Sequence, residues 1–421
     1  MLDLFPDSAR IERGELVLGG LRASELGDRF QTPLFVYCES TLRARAREIR
    51  RATPDAVVLY GTKAFPNVAL LRLFAEEGLG ADVASLGELA FARAAGIDGA
   101  RLVVHGNAKS DAELRAAAEA GATVAIDAED EAERAAAAGV LRVVVRVTLG
   151  IEADTHEAIQ TGHHGSKFGL PPGAALRSLE RALALGIDVA GLHVHVGSQL
   201  ADMGAHEGTI AALAAFAARC RDELGGWTPS LVNTGGGFAI RHVSEEPTAP
   251  LGEFARRVAD AVSRSWDRYE LPEPRLLLEP GRALVGQAGV TLYRVRSVKR
   301  LDDVTWVAVD GGMSDNPRPQ LYGSRYTALS AMRAEEPPTE TVSVAGLHCE
   351  SGDVLIDDVA LPPPRRGDLL AVPATGAYAL AMSSNYNATP RPGAVLVGGG
   401  EARVIRHRET VDDLLAREDL P

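Results

Sequence analysis

The chain has 421 residues, 46% of them hydrophobic and 24% charged, and its formal net charge is −13. This composition suits a large folded core, and the acidic balance argues against nucleic-acid binding, which requires clustered Lys and Arg. The three cysteines, Cys38, Cys220 and Cys349, are far apart and odd in number, so they indicate neither a disulfide framework nor a cysteine-rich zinc site. A charged N-terminus and the lack of a long apolar run predict a cytoplasmic protein without a membrane span.

From residue 34 to about 285 the chain repeats a short apolar run followed by an Ala-rich segment with helical spacing. One of these helices opens on Ser110, with Glu113 three residues later, which is the pattern of a capping box. So many alternating strands and helices favour a closed (β/α)8 barrel over a doubly wound sheet. The eight strand candidates are residues 57–62, 81–86, 102–106, 123–128, 143–149, 189–197, 230–236 and 276–281.

After residue 285 the pattern changes, because strand-like segments follow one another without long helices between them. Gly, Pro and Asp separate these segments, as is typical of turns between strands. The sequence therefore predicts a C-terminal β domain over residues 286–421, after a (β/α)8 barrel over 31–285. The first 30 residues also alternate and are predicted to pack with the β domain.

The end of the first barrel strand carries a lysine, Lys63, directly after an apolar run. Active-site residues of such barrels lie at the C-terminal ends of the strands. Two interpretations stay open at this point. Lys63 either extends into solvent, or is a lysine whose pKa is lowered by burial and which forms a Schiff base.

The sixth strand ends in HVHVGSQ, which contains His193 and His195. Because alternate residues share one face of a strand, both histidines are able to point into the barrel. They are either part of a zinc site or buried histidines with satisfied hydrogen bonds. His163 and His164 lie on a Gly-rich loop rather than at a strand end, so the sequence offers few further zinc ligands.

The last two strands end in NTGGGF and EPGR. Consecutive glycines let backbone N–H groups converge on an anion, although they also suit a flexible turn. Glu279 and Arg282 form either an ion pair or a pair of groups for a cofactor nitrogen and a substrate carboxylate. In the β domain, Cys349 and Glu350 lie in CESGD, which has the composition of a loop rather than of a core.

Taken together, these groups match the needs of pyridoxal 5′-phosphate (PLP). A lysine can form an imine, a glycine loop can bind the phosphate, a histidine can support the ring and a carboxylate can keep the ring nitrogen protonated. A protonated ring is an electron sink for the carbanion that remains when an amino acid loses CO2 or a proton.

The barrel followed by a β domain, with Lys63, HVHVGSQ, GGGF, EPGR and CESGD, resembles the PLP decarboxylases of the alanine racemase-like fold. Among these it is most similar to the diaminopimelate decarboxylase family, as VDGGMSDNPRPQLYG, LHCESGD and VPATGAYALAMSSNYN indicate. The resemblance implies decarboxylation of meso-2,6-diaminoheptanedioate to L-lysine. It covers nearly the whole chain.

The resemblance also implies the roles of individual barrel residues at the cofactor. Lys63 is expected to bind the cofactor covalently, His195 to stack on its ring, and Glu279 to pair with its ring nitrogen. Ser198, Gly235, Gly236 and Gly237 are expected to hold the phosphate. The remaining cofactor-binding residues are expected to be Gly281, Arg282 and Tyr378.

By the same resemblance the protein is a homodimer with shared active sites and a small amino-acid substrate. Cys349 is expected to be the proton donor, reaching into the site of the partner subunit, and Glu350 to bind the distal amino group. No metal is expected. The substrate-binding residues are expected to be Arg282, Arg318, Tyr322, Glu350 and Tyr378.

Three other functions compete with this one. A non-catalytic PLP carrier consists of a barrel alone, whereas this chain has a predicted β domain. A zinc barrel hydrolase would need more ligands than HVH supplies. A related fold-type III decarboxylase for another amino acid stays open, although decarboxylases of basic amino acids usually have a shorter acidic loop in place of CESGD.

Overall fold

The computed structural model describes residues 2–150, 166–200 and 203–419. Internal contacts divide the chain into two compact units. We call them the sheet unit (Met1–Ala44, Ile240–Pro247 and Leu284–Pro421) and the barrel unit (Arg45–Ala239 and Thr248–Ala283). The chain therefore begins and ends in the sheet unit, and it also returns there briefly between two parts of the barrel.

The chain starts with a small antiparallel sheet of three strands. Arg13 and Gly14, with φ of 54° and 78°, form the turn between the first two of them. A short helix and a fully buried apolar strand follow, and a longer helix then leads into the barrel unit. These elements are β1 (Arg10–Glu12), β2 (Glu15–Leu18), β3 (Leu21–Arg22), α1 (Ala23–Phe30), β4 (Leu34–Cys38) and α2 (Glu39–Ala52).

Eight parallel strands form a closed barrel, which confirms the predicted fold class. Each strand overlaps one of the eight strand candidates read from the sequence. The first strand pairs with the last, so the barrel has no free edge. The strands are β5 (Val57–Gly61), β6 (Gly80–Val83), β7 (Leu102–Val104), β8 (Thr123–Ile126), β9 (Arg142–Arg146), β10 (Asp188–His193), β11 (Leu231–Asn233) and β12 (Arg275–Leu278).

Apolar side chains from the strands pack together as a core of the barrel unit; they are Leu59, Val103, Ala125, Val144, Ala190 and Leu277. The helices alternate with the strands along the chain. They are α3 (Val68–Glu76), α4 (Leu86–Ala94), α5 (Asp111–Ala120), α6 (Glu131–Ala138), α7 (Pro172–Ala184), α8 (Gly204–Glu223), α9 (Leu251–Asp267) and α10 (Arg282–Val285).

The capping box predicted at Ser110 is present at the start of α5, where the Ser110 hydroxyl accepts from the Glu113 N–H and Glu113 accepts from the Ser110 N–H. Gly121, with φ of 67°, ends the same helix in the left-handed conformation that glycine adopts without strain. Within the described residues, no helix has the length and apolar character needed to cross a membrane.

The C-terminal part of the sheet unit is mostly β structure. The elements are β13 (Gly289–Arg300), β14 (Thr305–Val309), α11 (Arg318–Tyr322), β15 (Leu329–Ser330), β16 (Glu340–Ala345), β17 (Val354–Leu361), β18 (Leu369–Val372), β19 (Gly393–Gly398), β20 (Glu401–Arg406) and α12 (Val411–Leu415). The main sheet of the unit runs in the order β17-β16-β14-β13-β4-β19-β20, and β18 pairs with both β13 and β15.

The strand β4 lies within this sheet, between β13 and β19, although the sequence assigned residues 31–285 to the barrel. Phe35 pairs with Thr291 on one side and with Ala394 on the other. A short apolar run looks the same in a barrel and in a buried sheet, because the identity of its neighbours is decided by distant parts of the chain.

Candidate active site

Three strand ends of the barrel meet at the carboxylate of Glu279. Its Oε1 lies 2.7 Å from Nε2 of His105, which follows β7, and accepts a hydrogen bond of 2.6 Å from Nδ2 of Asn233, the last residue of β11. Asp82 of β6 also approaches this network, because its Oδ1 lies 3.8 Å from Nε2 of His105. All four side chains are buried, so this is a polar network inside the mouth of the barrel.

The charges of this network favour an ionised Glu279 beside a protonated His105. Burial alone would raise the pKa of Glu279, but His105, His193 and the Asn233 amide together hold that pKa well below its ordinary value. Burial lowers the pKa of His105, but the carboxylates of Glu279 and Asp82 outweigh it and raise this pKa above the usual value. A buried carboxylate with such partners keeps its negative charge at neutral pH.

The two histidines of HVHVGSQ have different surroundings. His193 is buried, and its ring lies edge-on to that of His105 with the centroids 4.8 Å apart. His195 is partly exposed beyond the end of β10. Desolvation, and for His195 the charge of Lys63, hold both pKa values well below the ordinary value. Both rings are therefore neutral at physiological pH, and His195 is the one that reaches the rim.

The loop after β11 requires glycine at each of three positions. A Cβ on Gly235 would lie 2.4 Å from His195 Nδ1, and one on Gly237 would lie 2.4 Å from the carbonyl oxygen of Gly197. A Cβ on Gly236 would lie 2.2 Å from the Glu279 carbonyl oxygen. Gly235 and Gly237 also have φ of 72° and 92°, a region that suits glycine. The result is a loop of bare backbone beside Glu279.

Lys63 lies in a single helical turn, Thr62–Ala64, directly after β5. Its side chain is exposed in this structure, which agrees with one of the two interpretations left open, that it extends into solvent. The strand VVLYG before it is buried apart from Val57, and the chain leaves this strand at Gly61 to form the turn. Lys63 still acts electrostatically on His195 and Asp82, so it belongs to the same rim.

Arg282 and Ser198 also meet at this rim. Nη2 of Arg282, the first residue of α10, donates to the Ser198 hydroxyl at 3.3 Å. Gly281 precedes this arginine, and a Cβ there would lie 3.0 Å from the carbonyl oxygen of Gly61. The glycine thus lets β5 and the segment after β12 come close together.

A second buried network of charges lies below the rim. Nζ of Lys109 is 3.0 Å from Oε2 of Glu131 and also donates to the carbonyl oxygen of Ala125 at 2.7 Å. Glu131 in turn accepts from the Asp127 N–H at 2.8 Å, and Asp127 lies 3.6 Å from Nη1 of Arg146. This chain of ion pairs joins the ends of β7, β8 and β9.

In the sheet unit, the first residue of α11 is a buried arginine, Arg318. Its Nη2 donates to the Ser324 hydroxyl at 3.2 Å, and its guanidinium lies 5.2 Å from the Tyr322 ring centre and 5.8 Å from that of Tyr378. Among the described residues, no carboxylate pairs with Arg318, and its Nε has no hydrogen-bond partner. The structure thus brings together three predicted substrate-binding residues around one positive charge.

The predicted cysteine loop lies in the same unit. Cys349 and Glu350 are both exposed. The Cys349 N–H donates to Oδ1 of Asn387 at 3.3 Å, and the Tyr386 hydroxyl donates to Oε2 of Glu350 at 3.3 Å. The loop therefore presents a thiol and a carboxylate to the outside of the unit.

In the described part of the chain, His193 and His195 do not lie together in one group of possible zinc ligands. The one group of possible ligands compact enough there consists of His105, His193 and Glu279, with their ligand atoms within 4.8 Å of one another. It does not include His195, and the Glu279 oxygen already accepts from Asn233. His163 and His164 lie outside the described residues.

Comparisons with known proteins fit this geometry. A family model described as "pyridoxal-dependent decarboxylase, pyridoxal binding domain" matches residues 39–286. The chain is 47% identical over 422 residues to a diaminopimelate decarboxylase of Actinosynnema pretiosum, which covers 99% of this chain and 95% of that one. It is 41% identical over 440 residues to that of Bacillus subtilis, covering 99% and 98%. A crystal structure of the M. jannaschii diaminopimelate decarboxylase with L-lysine has a TM-score of 0.91 at 32% identity, covering 99% and 98%.

The chain belongs to the diaminopimelate decarboxylase family. This is a family of PLP enzymes, and the barrel rim fits that cofactor. Gly235–Gly237 form a loop of bare backbone suited to a phosphate, and Glu279 is a buried carboxylate held ionised. Lys63 and His195 lie at the same rim.

Some residues of the network around Glu279 were not singled out from the sequence. His105, Asn233 and Asp82 all contact or approach the central carboxylate network, yet none was assigned a role. A signal existed for His105, a polar residue near the end of the predicted strand 102–106, whereas Asp82 lies near the start of the predicted strand 81–86. Asn233 even stands at the head of the glycine motif NTGGGF.

Proposed function

We propose that this protein is a PLP-dependent carboxy-lyase that converts meso-2,6-diaminoheptanedioate into L-lysine and CO2, the last step of lysine biosynthesis. The observation that carries the substrate assignment is Arg318, a buried guanidinium with no carboxylate partner among the described residues. A buried charge without a partner is costly, so such a group suits a ligand that brings the opposite charge. The full-length likeness to diaminopimelate decarboxylases points to the same substrate.

At the barrel rim, we assign cofactor-binding roles to residues that follow four strands, β5, β10, β11 and β12. Lys63 holds the cofactor covalently, neutral His195 covers its ring, and Ser198 with the N–H groups of Gly235–Gly237 holds the phosphate. Gly281, Arg282 and Tyr378 complete this set. When bound, PLP draws electrons from the bond that breaks. Glu279 makes this possible, because its negative charge stabilises a proton on the ring nitrogen.

The two ends of the substrate must be distinguished. The product L-lysine keeps the L centre of the meso substrate, so the carboxylate that leaves belongs to the D centre. The L end therefore lies away from the reaction, with its ammonium and carboxylate intact. Arg318 and Arg282 bind that carboxylate, with Tyr322 adding a hydrogen bond and Tyr378 lying beside it.

The remaining groups come from a second copy of the chain in the proposed homodimer. The partner subunit's Glu350 binds the distal ammonium, and the partner subunit's Cys349 gives its Sγ proton to the carbon that has lost CO2. Support comes from the exposure of both side chains and of two apolar residues, Leu347 of the same loop and Leu321 of α11. A proton-donating thiol also suits a reducing compartment, so we place the protein in the cytoplasm.

Two measurements test the reaction and the cofactor link. CO2 release should be fastest with meso-2,6-diaminoheptanedioate, and L-lysine, L-ornithine and L-arginine should react far more slowly because they lack the second carboxylate. Equal rates with ornithine or lysine would reject the substrate assignment.

Borohydride reduction should fix the cofactor to Lys63, and mass spectrometry can distinguish it from the other lysines of the chain, Lys109, Lys167 and Lys299. Labelling elsewhere would reject the role of Lys63.

The dimer is tested by complementation. Lys63→Ala and Cys349→Ala chains should each be inactive alone, because every site in either homodimer lacks one group. In mixed dimers one of the two sites has both groups, so activity should return. If mixed dimers form and remain inactive, Lys63 and Cys349 act within one chain and the shared-site proposal fails.

A further inference from the structure

One carboxylate of the sheet unit holds two loops at once. We call residues 310–322 the arginine loop and residues 346–353 the cysteine loop. Oδ1 of Asp353 accepts a hydrogen bond of 2.7 Å from the Met313 N–H of the arginine loop. Its Oδ2 accepts one of 2.9 Å from the His348 N–H of the cysteine loop. Asp353 is only 3% exposed, so both hydrogen bonds are shielded from water.

The backbone on both sides is shaped to admit this carboxylate. A Cβ added to Gly312 would lie 2.5 Å from Oδ2 of Asp353, and a Cβ added to Gly346 would lie 2.1 Å from the same oxygen. The Leu347 N–H also donates to the carbonyl oxygen of Gly311 at 3.0 Å, which joins the loops directly. The two loops therefore pack closely against each other around the Asp353 carboxylate.

A second connection comes from the helix that carries the arginine. Gln320 lies two residues after Arg318 in α11. Its Nε2 donates to the carbonyl oxygens of Gly352 and Val354 at 3.0 and 2.8 Å. The turn that bears Arg318 is thus tied to the end of the cysteine loop, independently of Asp353.

We propose that Asp353 and Gln320 are positioning residues that make the arginine loop and the cysteine loop move as one. This inference rests on the proposed function, in which Arg318 serves the site of its own chain while Cys349 and Glu350 serve the site of the partner. Under that arrangement, each pair of loops connects the two active sites of the dimer. A disturbance at Asp353 then affects both sites, although its side chain touches neither substrate.

Two mixed dimers separate these effects, with differently tagged chains used to purify each one. In the first, one chain carries Asp353→Asn and the other Lys63→Ala, so the single competent site uses the Arg318 of the altered chain. In the second, one chain carries both substitutions and the other is wild type, so the competent site receives Cys349 from the altered chain. The reference is the dimer of wild-type and Lys63→Ala chains.

Both mixed dimers should release CO2 from meso-2,6-diaminoheptanedioate about 10-fold more slowly than the reference, as expected for loss of one charge-assisted hydrogen bond. If either dimer reaches the reference rate, Asp353 orders only one loop and the proposal fails. Gln320→Ala, introduced in the same two arrangements, should also slow both sites. It serves as the second variant should Asp353→Asn fold poorly.

Hydrogen exchange gives a readout that does not depend on the reaction. Asp353→Asn in the holoenzyme should speed exchange in peptides covering both 311–317 and 346–353, because an amide cannot accept from both N–H groups. Gln287→Ala is the matched control, since Gln287 also donates to two carbonyl oxygens, those of Asp3 and Phe5, in the same unit. It should leave both loops unchanged. Faster exchange in only one loop would overturn the proposal.

The two proposals fail in different ways. If the reference dimer releases no CO2 from meso-2,6-diaminoheptanedioate, the proposed function is wrong, and hydrogen exchange alone then decides whether the two loops are coupled. If the reference dimer is active and only one mixed dimer is slow, the proposed function stands and the coupling is wrong.

Discussion

The barrel unit and the sheet unit differ in whether their buried charged side chains have partners. In the barrel, Glu279 is held by His105 and Asn233, and Lys109 is paired with Glu131. In the sheet unit, buried Arg318 contacts a hydroxyl and two aromatic rings but no carboxylate among the described residues. The difference matches the proposed occupants. A cofactor that stays bound benefits from charges fixed in advance, whereas a substrate that comes and goes can supply the missing charge itself.

The sheet unit compensates by fixing its loops through the backbone. Asp353 and Asp315 are buried carboxylates that accept from main-chain N–H groups rather than from lysine or arginine. Such bonds hold loop geometry without using a positive charge that the substrate needs. Four variants test this contrast between the two units.

The largest effect is expected at Glu279. Glu279→Gln removes the charge that stabilises a protonated ring nitrogen, so kcat should fall by roughly 1,000-fold while the cofactor remains bound after dialysis. Glu129→Gln is the control, because Glu129 forms an exposed pair with Arg177 in the same unit and should be near wild type. A Glu279→Gln enzyme with full activity would mean that the ring needs no anionic partner.

The second-largest effect is expected on the stability of the barrel unit, at the buried pair of Lys109 and Glu131. Lys109→Met should lower the free energy of unfolding by about 3 kcal/mol, because it leaves Glu131 buried without its cation. Arg177→Met removes an exposed pair with Glu129 and should cost less than about 1 kcal/mol. Urea unfolding of both variants measures the difference, and Lys109→Met with Glu131→Gln should recover part of the loss. Equal costs for Lys109→Met and Arg177→Met would show that burial of the pair does not matter.

The barrel was readable from the sequence because its signal repeats. Eight apolar runs, each followed by a helical segment, leave few alternatives to closure, and every predicted strand is present. The place of Leu34–Cys38 was not readable, since its pairing with β13 and β19 depends on residues more than 250 positions away. Nothing in a run of five apolar residues distinguishes those neighbours from barrel strands.

Local sequence pattern also explains which site residues could be predicted and which could not. Lys63, Gly235–Gly237 and Glu279 stood out because a polar or glycine-rich segment interrupts an apolar pattern at a strand end. His105 did not, because its importance comes from Glu279, which lies 174 residues further along the chain. The sequence left open whether Lys63 is buried or exposed, since that depends on the turn that follows β5 in the folded protein.

In the sheet unit, Arg318→Lys should lower kcat/KM for meso-2,6-diaminoheptanedioate by roughly 30-fold. An ammonium keeps the charge but cannot form the planar pair of hydrogen bonds, and one such bond is worth about 2 kcal/mol. Arg325→Lys is the control, because Arg325 is exposed in the segment after α11. The slow reaction of L-lysine, which lacks the far carboxylate, should be affected much less. Equal losses for both substrates would place Arg318 away from that carboxylate.

The smallest effect is a dependence of stability on pH that arises from Asp315. It tests whether buried carboxylates hold the loops of the sheet unit without a positively charged partner. Oδ2 of Asp315 accepts from the Tyr293 hydroxyl at 2.5 Å and Oδ1 accepts from the Gly312 N–H at 2.8 Å. Burial raises the pKa of Asp315 to about 7; these hydrogen bonds oppose the rise, and the charges of Asp353 and Asp310 add to it. The folded protein therefore keeps a proton near neutral pH that the unfolded chain has already lost.

The sign of the effect follows from this difference in protons bound. Between pH 6 and 8 the folded protein loses its Asp315 proton while the unfolded chain has none to lose, so the wild type becomes less stable as pH rises. Asparagine does not titrate, so the stability of wild type relative to Asp315→Asn should fall by about 1 kcal/mol over this interval, measured by urea unfolding. Asp413→Asn should show no such slope, because the pKa of Asp413 is lowered by its capping hydrogen bonds to Thr410 and the group stays ionised throughout. A flat difference for Asp315→Asn would mean that the Asp315 carboxyl is ionised already at pH 6, with its charge stabilised by Tyr293 and Gly312 alone.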